Sequence, residues 1–362
     1  MSISIRGLRK QFGETVAVAS LSLDIAEGEM RVLLGPSGCG KTTTMRCIAG
    51  LDAPTAGEIA IRGRTVFSAK DGINMPVNQR RVGMVFQSYA IWPHLTVFEN
   101  VSFPLEMEGV PRAEIRQRVE DTLALVGLAG FGSRGASYLS GGQMQRVALA
   151  RSLVMKPSVL LFDEPLSNLD ARLRDHLRIE LRELQTQFNI TGVYVTHDQR
   201  EALAVADKIT VMRAGETLQT GAPIDIYQQP RSSQIAEFLG YTNIFAVESV
   251  ASCSAGTRVR IRGGSELHVR PAGLIDGDMS VCVRPDDVSI RLSDGALATR
   301  PNCIPGTVTL ASFMGTHMQY RVRAETGAVW EAISPRLSSD LRVGSAAIIE
   351  VPRDRILVLP NG

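Results

Sequence analysis

Gly35-Pro36-Ser37-Gly38-Cys39-Gly40-Lys41-Thr42 stands between a short apolar run, Arg31 to Leu34, and a helical pattern over Thr42 to Ala49 that Gly50 stops. The stretch fits GxxxxGK[ST], and a strand before it with a helix after it is the setting that gives the pattern physical meaning. Its glycines let successive backbone N–H groups turn toward one point, and the helix N-terminus adds its positive dipole end. The loop is therefore expected to cradle phosphate. Lys41 supplies a compact cation, the Thr42 hydroxyl is a hard oxygen ligand for a divalent ion, and Thr43 follows in the same turn. Cys39 inside the loop invites a redox or metal reading, but a small residue used for its backbone is the simpler one.

Working outward, Val159-Leu160-Leu161-Phe162-Asp163-Glu164 is an unbroken apolar strand ending in two carboxylates. Open α/β sheets present ligands at the carboxyl ends of their strands, so Asp163 is expected to face the loop and hold Mg²⁺. Glu164 is then the natural general base for a water attacking the γ-phosphate of ATP. Leu139-Ser140-Gly141-Gly142-Gln143 precedes a helical stretch, Met144 to Met155, and offers a second helix N-terminus for an anion.

The phosphate loop, Leu-Ser-Gly-Gly-Gln, Asp-Glu, Ser167-Asn168-Leu169-Asp170 and a strand ending at His197 together resemble the nucleotide-binding domain of the ATP-binding cassette (ABC) family, in that family's order. The resemblance covers about residues 3 to 238. It implies that Gly35, Pro36, Ser37, Gly38, Cys39, Gly40, Lys41, Thr42 and Thr43 bind the nucleotide, with Phe12 stacking on adenine. It implies that Thr42, Asp163 and Gln87 serve Mg²⁺, with Glu164, His197, Lys41 and Gln87 catalytic. Ser140, Gly141, Gly142, Gln143 and Asp170 are implied to meet an ATP held by a second domain. One such loop and one such signature per chain imply a homodimer.

Up to about residue 238 the strands alternate with helices, and Arg172 to Phe188 places Leu173, Leu177, Leu181 and Leu184 on one stripe. This predicts an α/β P-loop domain with a parallel-sheet core, and the resemblance adds a helical subdomain. From about 241 onward the period becomes two, as in Val259/Ile261, Val281/Val283, Val308/Leu310 and Tyr320/Val322. Short antiparallel strands in a small all-β domain are expected over 241–362, after an ATPase domain over 1–240. With Val283-Arg284-Pro285-Asp286-Asp287, that region resembles the OB-like (TOBE-type) regulatory domain of sugar, polyamine and ferric-iron importer ATPases.

The 362 residues carry a net charge of +2 with basic residues scattered, which gives no electrostatic footprint for nucleic acid, and none is expected as a partner. The longest apolar runs are strand-sized, so no membrane crossing is expected, and the N-terminus does not read as a signal peptide. Cys39, Cys47, Cys253, Cys282 and Cys303 are scattered and read as reduced thiols. Gln87 to Val97 resembles the segment that docks transmembrane permease subunits in binding-protein-dependent importers. The expected protein is a cytoplasmic ATPase on the inner face of the cell membrane, working with a permease and a periplasmic or extracellular solute-binding protein. A soluble ABC mechanoenzyme and an ATP-switched binding module are the alternatives, and the cargo stays open.

Overall fold

Strands that are apolar at every position need cover on both faces, and in this chain they lie side by side at the centre of the ATPase unit. The computed structural model describes residues 1–253, 256–270, 277–293, 300–335 and 340–361, and it divides into Met1–Ile226 and Tyr227–Gly362. In chain order the first unit has strands β1 (Ile3–Phe12), β2 (Thr15–Ile25) and β3 (Met30–Leu34), helix α1 (Lys41–Ala49), then β4 (Ala56–Ile61), β5 (Arg64–Ser68), β6 (Ile73–Asn74) and β7 (Val82–Val85). Helices α2 (Val97–Met107), α3 (Arg112–Leu125) and α4 (Gly141–Leu153) follow. The chain then runs through β8 (Val159–Asp163), α5 (Ala171–Gln187), β9 (Gly192–Thr196), α6 (Gln199–Val205), β10 (Lys208–Arg213) and β11 (Glu216–Gly221).

One sheet has the order β11-β10-β3-β9-β8-β7, parallel except for β11 at its edge. The other, β2-β1-β4-β5-β6, is antiparallel. Helix α1 buries Met45, Cys47 and Ile48 in a core shared with Leu33, Val193 and Leu161 of the first sheet and Ile3, Ile5 and Ile59 of the second. Helices α2, α3 and α4 pack on one another as a separate helical layer.

The sequence places the signature helix over Met144 to Met155, but α4 starts at Gly141. Glycines weaken a helix pattern, so sequence reading starts it late. Ser140 and Gln143 offset that weakness with a reciprocal capping box. The helix ends at Leu153, two residues short of Met155, and the chain then turns at Lys156 (φ +49) ahead of Pro157. On α5, Leu177 and Leu181 are buried, whereas Leu173 and Leu184 flank them half-buried.

In the second unit, helix α7 (Pro223–Gln228) crosses the division and α8 (Ser233–Phe238) leads into strands only. These are β12 (Asn243–Cys253), β13 (Gly256–Ile261), β14 (Glu266–Val269), β15 (Met279–Val283), β16 (Ser289–Leu292), β17 (Cys303–Phe313), β18 (Met318–Ala324), β19 (Val329–Ser334), β20 (Ala346–Glu350) and β21 (Leu357–Pro360). They form two five-stranded antiparallel sheets, β14-β13-β12-β15-β21 and β16-β20-β17-β18-β19, over one core that includes Val259, Val283, Val322, Trp330 and Ile349. This is the OB-like all-β domain. Period two fails at the Val308/Leu310 pair, where a register shift in β17 leaves Val308 buried and turns Leu310 to solvent.

Cys39, Cys47, Cys282 and Cys303 are free thiols, and the side chain of Cys253 lies outside the described residues. Burial pushes Cys47 up to about 11 and Cys282 up to about 12, which keeps both in the unreactive thiol form at neutral pH.

Candidate active site

Sheet register builds the site. Leu34 pairs with Thr196, Val195 with Asp163, and Phe162 with Val85, so β3, β9, β8 and β7 end together. The next residues in each strand are the Gly35 loop, His197, Glu164 and the Phe86-Gln87 turn. All of the catalytic residues expected from sequence therefore emerge along one edge, the carboxyl edge of a parallel sheet.

Two glycines of the loop have a steric reason. A side chain on Gly35 would put its Cβ 2.2 Å from the Met212 carbonyl oxygen, and Gly40 holds φ +98 with its missing Cβ 2.4 Å from the Ala17 carbonyl oxygen. Gly40 is the cap residue from which α1 starts, so the chain enters the helix through a left-handed turn only glycine takes easily. Lys41 is buried and donates from Nζ to the carbonyls of Gly35 (2.8 Å) and Pro36 (2.9 Å). Its ammonium thus stays against the loop rather than in solvent. The buried Cys39 places its Sγ 3.7 Å from the same Nζ.

Thr42 Oγ1 donates to Asp163 Oδ1 at 3.1 Å, which joins the start of α1 to the end of β8. Burial raises the Asp163 carboxyl above its ordinary value, the Thr42 hydrogen bond pulls it back, and the charge of Glu164 raises it further. A raised carboxyl beside a hydroxyl and a second carboxylate is a site where a cation is electrostatically favoured.

Glu164 sits at φ +44, a left-handed conformation uncommon for this residue. Its N–H still follows the strand, donating to the Val195 carbonyl at 3.0 Å, while its carbonyl accepts from Ser167 N–H (3.2 Å) and Ser167 Oγ (2.9 Å). The turn swings the side chain to His197, whose Nδ1 lies 3.1 Å from Glu164 Oε2. Gln87 is exposed beyond β7, and its carbonyl accepts from Asn168 Nδ2 at 2.9 Å, which ties that turn to the Ser167-to-Asp170 segment. Asp170 caps α5 through Oδ1 and the Leu173 N–H.

Ser140 caps α4, and Gly141, Gly142 and Gln143 form its first turn. A Cβ on Gly141 would lie 3.0 Å from Leu169 Cδ2, and one on Gly142 would lie 3.4 Å from Leu173 Cδ1. The small residues of the signature therefore let α4 pack closely on the segment around Asp170. Phe12 ends β1 with an exposed ring, 4.4 Å below Lys10 Nζ.

Sequence reading missed the supports of this site. Buried Glu201 accepts from Tyr194 OH (3.0 Å) and Thr196 Oγ1 (2.8 Å), pinning α6 beneath His197. Arg151 donates to the carbonyls of Tyr89 (2.8 Å) and Ala90 (2.6 Å), both at positive φ, and covers the Trp92 ring. It fixes the Gln87-to-Val97 segment together with Asn100, which exchanges hydrogen bonds with the Trp92 backbone. No local pattern marks such residues, because their partners are distant in the chain.

An ABC transporter family model matches residues 18–167, and a TOBE domain model matches residues 281–359. The Fe(3+) ions import ATP-binding protein FbpC of Agrobacterium fabrum is 47% identical over 329 residues, 91% of this chain and 90% of that protein. FbpC 1 of Rhizobium meliloti is 43% identical over 100% of this chain and 98% of its own. Among solved structures, cbiO1 from Clostridium perfringens, part of the ABC transporter complex cbiONQ, superposes with TM-score 0.57 at 28% identity, covering 65% of this chain and 93% of its own. A dimeric post-hydrolysis ATP-binding cassette bound to ADP and Pi gives TM-score 0.52 at 32% identity, covering 61% and 98%. A relative this similar along nearly the whole chain carries the assignment that the strand edge prepares. The chain belongs to the ABC transporter family, as an ATP-hydrolysing subunit of the importer group that bears a C-terminal TOBE domain.

Proposed function

We propose that this chain powers the import of ferric ions by a two-chain cycle in which Mg·ATP closes a homodimer and hydrolysis reopens it. The observation that carries the reading is the convergence of the Gly35 loop, Glu164, His197 and Gln87 on one strand edge, with the Ser140 signature on a separate helix. The loop N–H groups and Lys41 bind the phosphates, and Phe12 offers an exposed ring for the adenine. Thr42 and Asp163 hold the metal with Gln87 nearby. Among the described residues no group of three or more His, Cys, Asp or Glu is placed to hold an ion. A hydroxyl and one carboxylate 3.1 Å apart instead suit Mg²⁺, a hard cation that completes its shell with water and phosphate oxygens. When bound, the ion neutralises charge on the β- and γ-phosphates.

Glu164 accepts the proton of the attacking water, and His197, within hydrogen-bond distance of it, holds the water and the γ-phosphate. Ser140, Gly141, Gly142, Gln143 and Asp170 face the nucleotide of the second chain. Each ATP then adds contacts across the interface, and losing the γ-phosphate removes them. Gln87 to Val97 docks a permease, an external solute-binding protein delivers the cargo, and the chain sits at the cytoplasmic face of the membrane. Among the described residues no helix is long and apolar enough to cross a bilayer. Ferric iron as cargo rests on the relatives named for Fe(3+) import. The ATPase domain is assigned to 1–240 and the regulatory domain to 241–362.

Glu164→Gln keeps the shape of the site but cannot take a proton. Turnover is expected to fall by ~10²- to 10⁴-fold while nucleotide binding survives. Size-exclusion chromatography is expected to show an ATP-bound dimer for Glu164→Gln and none for Lys41→Ala. Near-parental turnover in Glu164→Gln would overturn the general base, and ATP binding without dimerisation would overturn the two-chain cycle.

A further inference from the structure

Arg174 lies in the first turn of α5, where a cation works against the helix dipole, so helix stability does not explain it. Its guanidinium reaches in two directions. Nη2 donates to the carbonyls of Leu169 (2.9 Å) and Ser167 (3.4 Å), in the turn that leads to Asp170. Nη1 lies 3.6 Å from Asp198 Oδ2, in the residue after His197. The other Asp198 oxygen caps α6, accepting from the N–H groups of Arg200 (2.7 Å) and Glu201 (3.2 Å).

These contacts close a ring. Ser167 donates twice to the Glu164 carbonyl, Glu164 Oε2 meets His197 Nδ1, His197 is bonded in the chain to Asp198, and Asp198 pairs with Arg174, which returns to Ser167. The base, the histidine and the 167–170 turn are therefore held by one another. Arg174 is the member that joins the turn to the histidine loop. A planar guanidinium can meet carbonyls and a carboxylate at once, whereas an ammonium is a point donor.

We propose that Arg174 is a positioning residue that makes the 167–170 turn and the His197 loop a single moving unit. Arrival of a second chain at Asp170 then sets the geometry of the His197–Glu164 pair. This rests on the roles assigned above to Glu164 and to the two-chain cycle. ATP bound to one chain alone would leave that pair in the arrangement of the single chain, and the shift that a second chain imposes on it couples hydrolysis to closure.

The test uses the full chain with Arg174→Met, Arg174→Lys, Asp198→Asn and the Arg174→Met/Asp198→Asn double variant, with Glu164→Gln as reference. Asparagine keeps the oxygen that caps α6 but loses the charge that faces Arg174. Affinity for a fluorescent ATP analogue and the melting temperature are expected to stay near parental values. A misplaced catalytic group costs on the order of 10²-fold, so kcat is expected to fall by about ten- to a hundred-fold at unchanged KM. Lysine is expected to restore little of it. The double variant is expected to be no worse than the poorer single one, because both remove the same link. Parental kcat in Arg174→Met or Asp198→Asn, or losses that multiply in the double variant, would overturn the proposal while leaving an inactive Glu164→Gln unaffected. If Arg174→Met does not fold, Asp198→Asn and Arg174→Lys decide the matter by the same criterion. Near-parental turnover in Glu164→Gln would instead overturn the underlying reading, and this proposal with it.

Discussion

Glu201 shows how much a single buried carboxylate decides at the residue scale. Burial raises its carboxyl above the ordinary glutamate value, against the pull of the Thr196 and Tyr194 hydroxyls, and burial also lifts the Tyr194 phenol well above its own value. A carboxyl whose folded pKa exceeds its unfolded one binds its proton more tightly in the folded chain. Its contribution to stability is then full below the ordinary value and is lost as pH rises through the raised one. Glu201→Gln is neutral at every pH and keeps an acceptor oxygen for both hydroxyls. Its melting temperature is therefore expected to gain on the parent as pH rises from the ordinary glutamate value of about 4.3 toward neutrality. A difference that is flat or shrinks with rising pH would contradict the raised carboxyl. Glu201→Ala leaves two buried hydroxyls without their acceptor, at a cost of ~1–3 kcal/mol for each.

At the scale of elements, the β-rich unit depends on whether each strand presents its large residues to the shared core. Trp330 in β19 is fully buried, with its ring 4.6 Å from that of Phe245 in β12, and its Nε1 has no hydrogen-bond partner among the described residues. Trp330→Ala is expected to destabilise by ~3–5 kcal/mol, since a large cavity opens between the sheets. Trp330→Phe keeps an aromatic ring there and removes the unpartnered N–H, so its loss is expected to be clearly smaller. Calorimetric melting of both variants checks the order, and equal losses would mean that Nε1 makes a contact that stabilises the fold. The bulge in β17 belongs to this scale as well. The ladder shift between Val308 and Leu310 takes Leu310 out of the core that Val308 enters, and Thr309 Oγ1 donates to the Arg321 carbonyl at 3.0 Å there.

For the whole molecule, the question is where one unit ends. Arg284 of the Val-Arg-Pro-Asp-Asp stretch stacks on Tyr227 (3.0 Å) and Tyr241 (4.6 Å) and donates to the Tyr227 carbonyl. Helix α8 also packs on β15. A chain ending after Thr242 keeps Ile235, Leu239 and Tyr241 but loses that cover. A chain ending after Gln228 loses the apolar groups along with their partner. Both are expected to bind ATP, because every nucleotide motif lies upstream. The longer is expected to bind more of a hydrophobic dye and to aggregate sooner, in proportion to the apolar surface left bare. Equal dye binding by the two would show that α8 finds cover within the ATPase unit.

The sequence by itself determined what is local: that a loop from Gly35 to Thr42 turns its N–H groups inward, that a helix follows Ser140, and that the apolar strand from Val159 runs into two carboxylates. Glycine conformation, capping and unbroken apolar runs act over a few residues, so they can be read from neighbours. Strand-end logic and the family resemblance already brought Asp163 to the loop and Glu164 and His197 to one site, but tertiary structure decided the contacts themselves. Strand register set Thr42 against Asp163 and Glu164 against His197, and no residue near any of the four encodes that alignment. The supports, Arg174, Glu201 and Arg151, stayed invisible for the same reason. A change from mixed to two-residue periodicity marks where helices give way to strands near residue 241. The units divide at Ile226–Tyr227, because a unit boundary follows the packing of side chains such as Arg284 and not the period of the backbone.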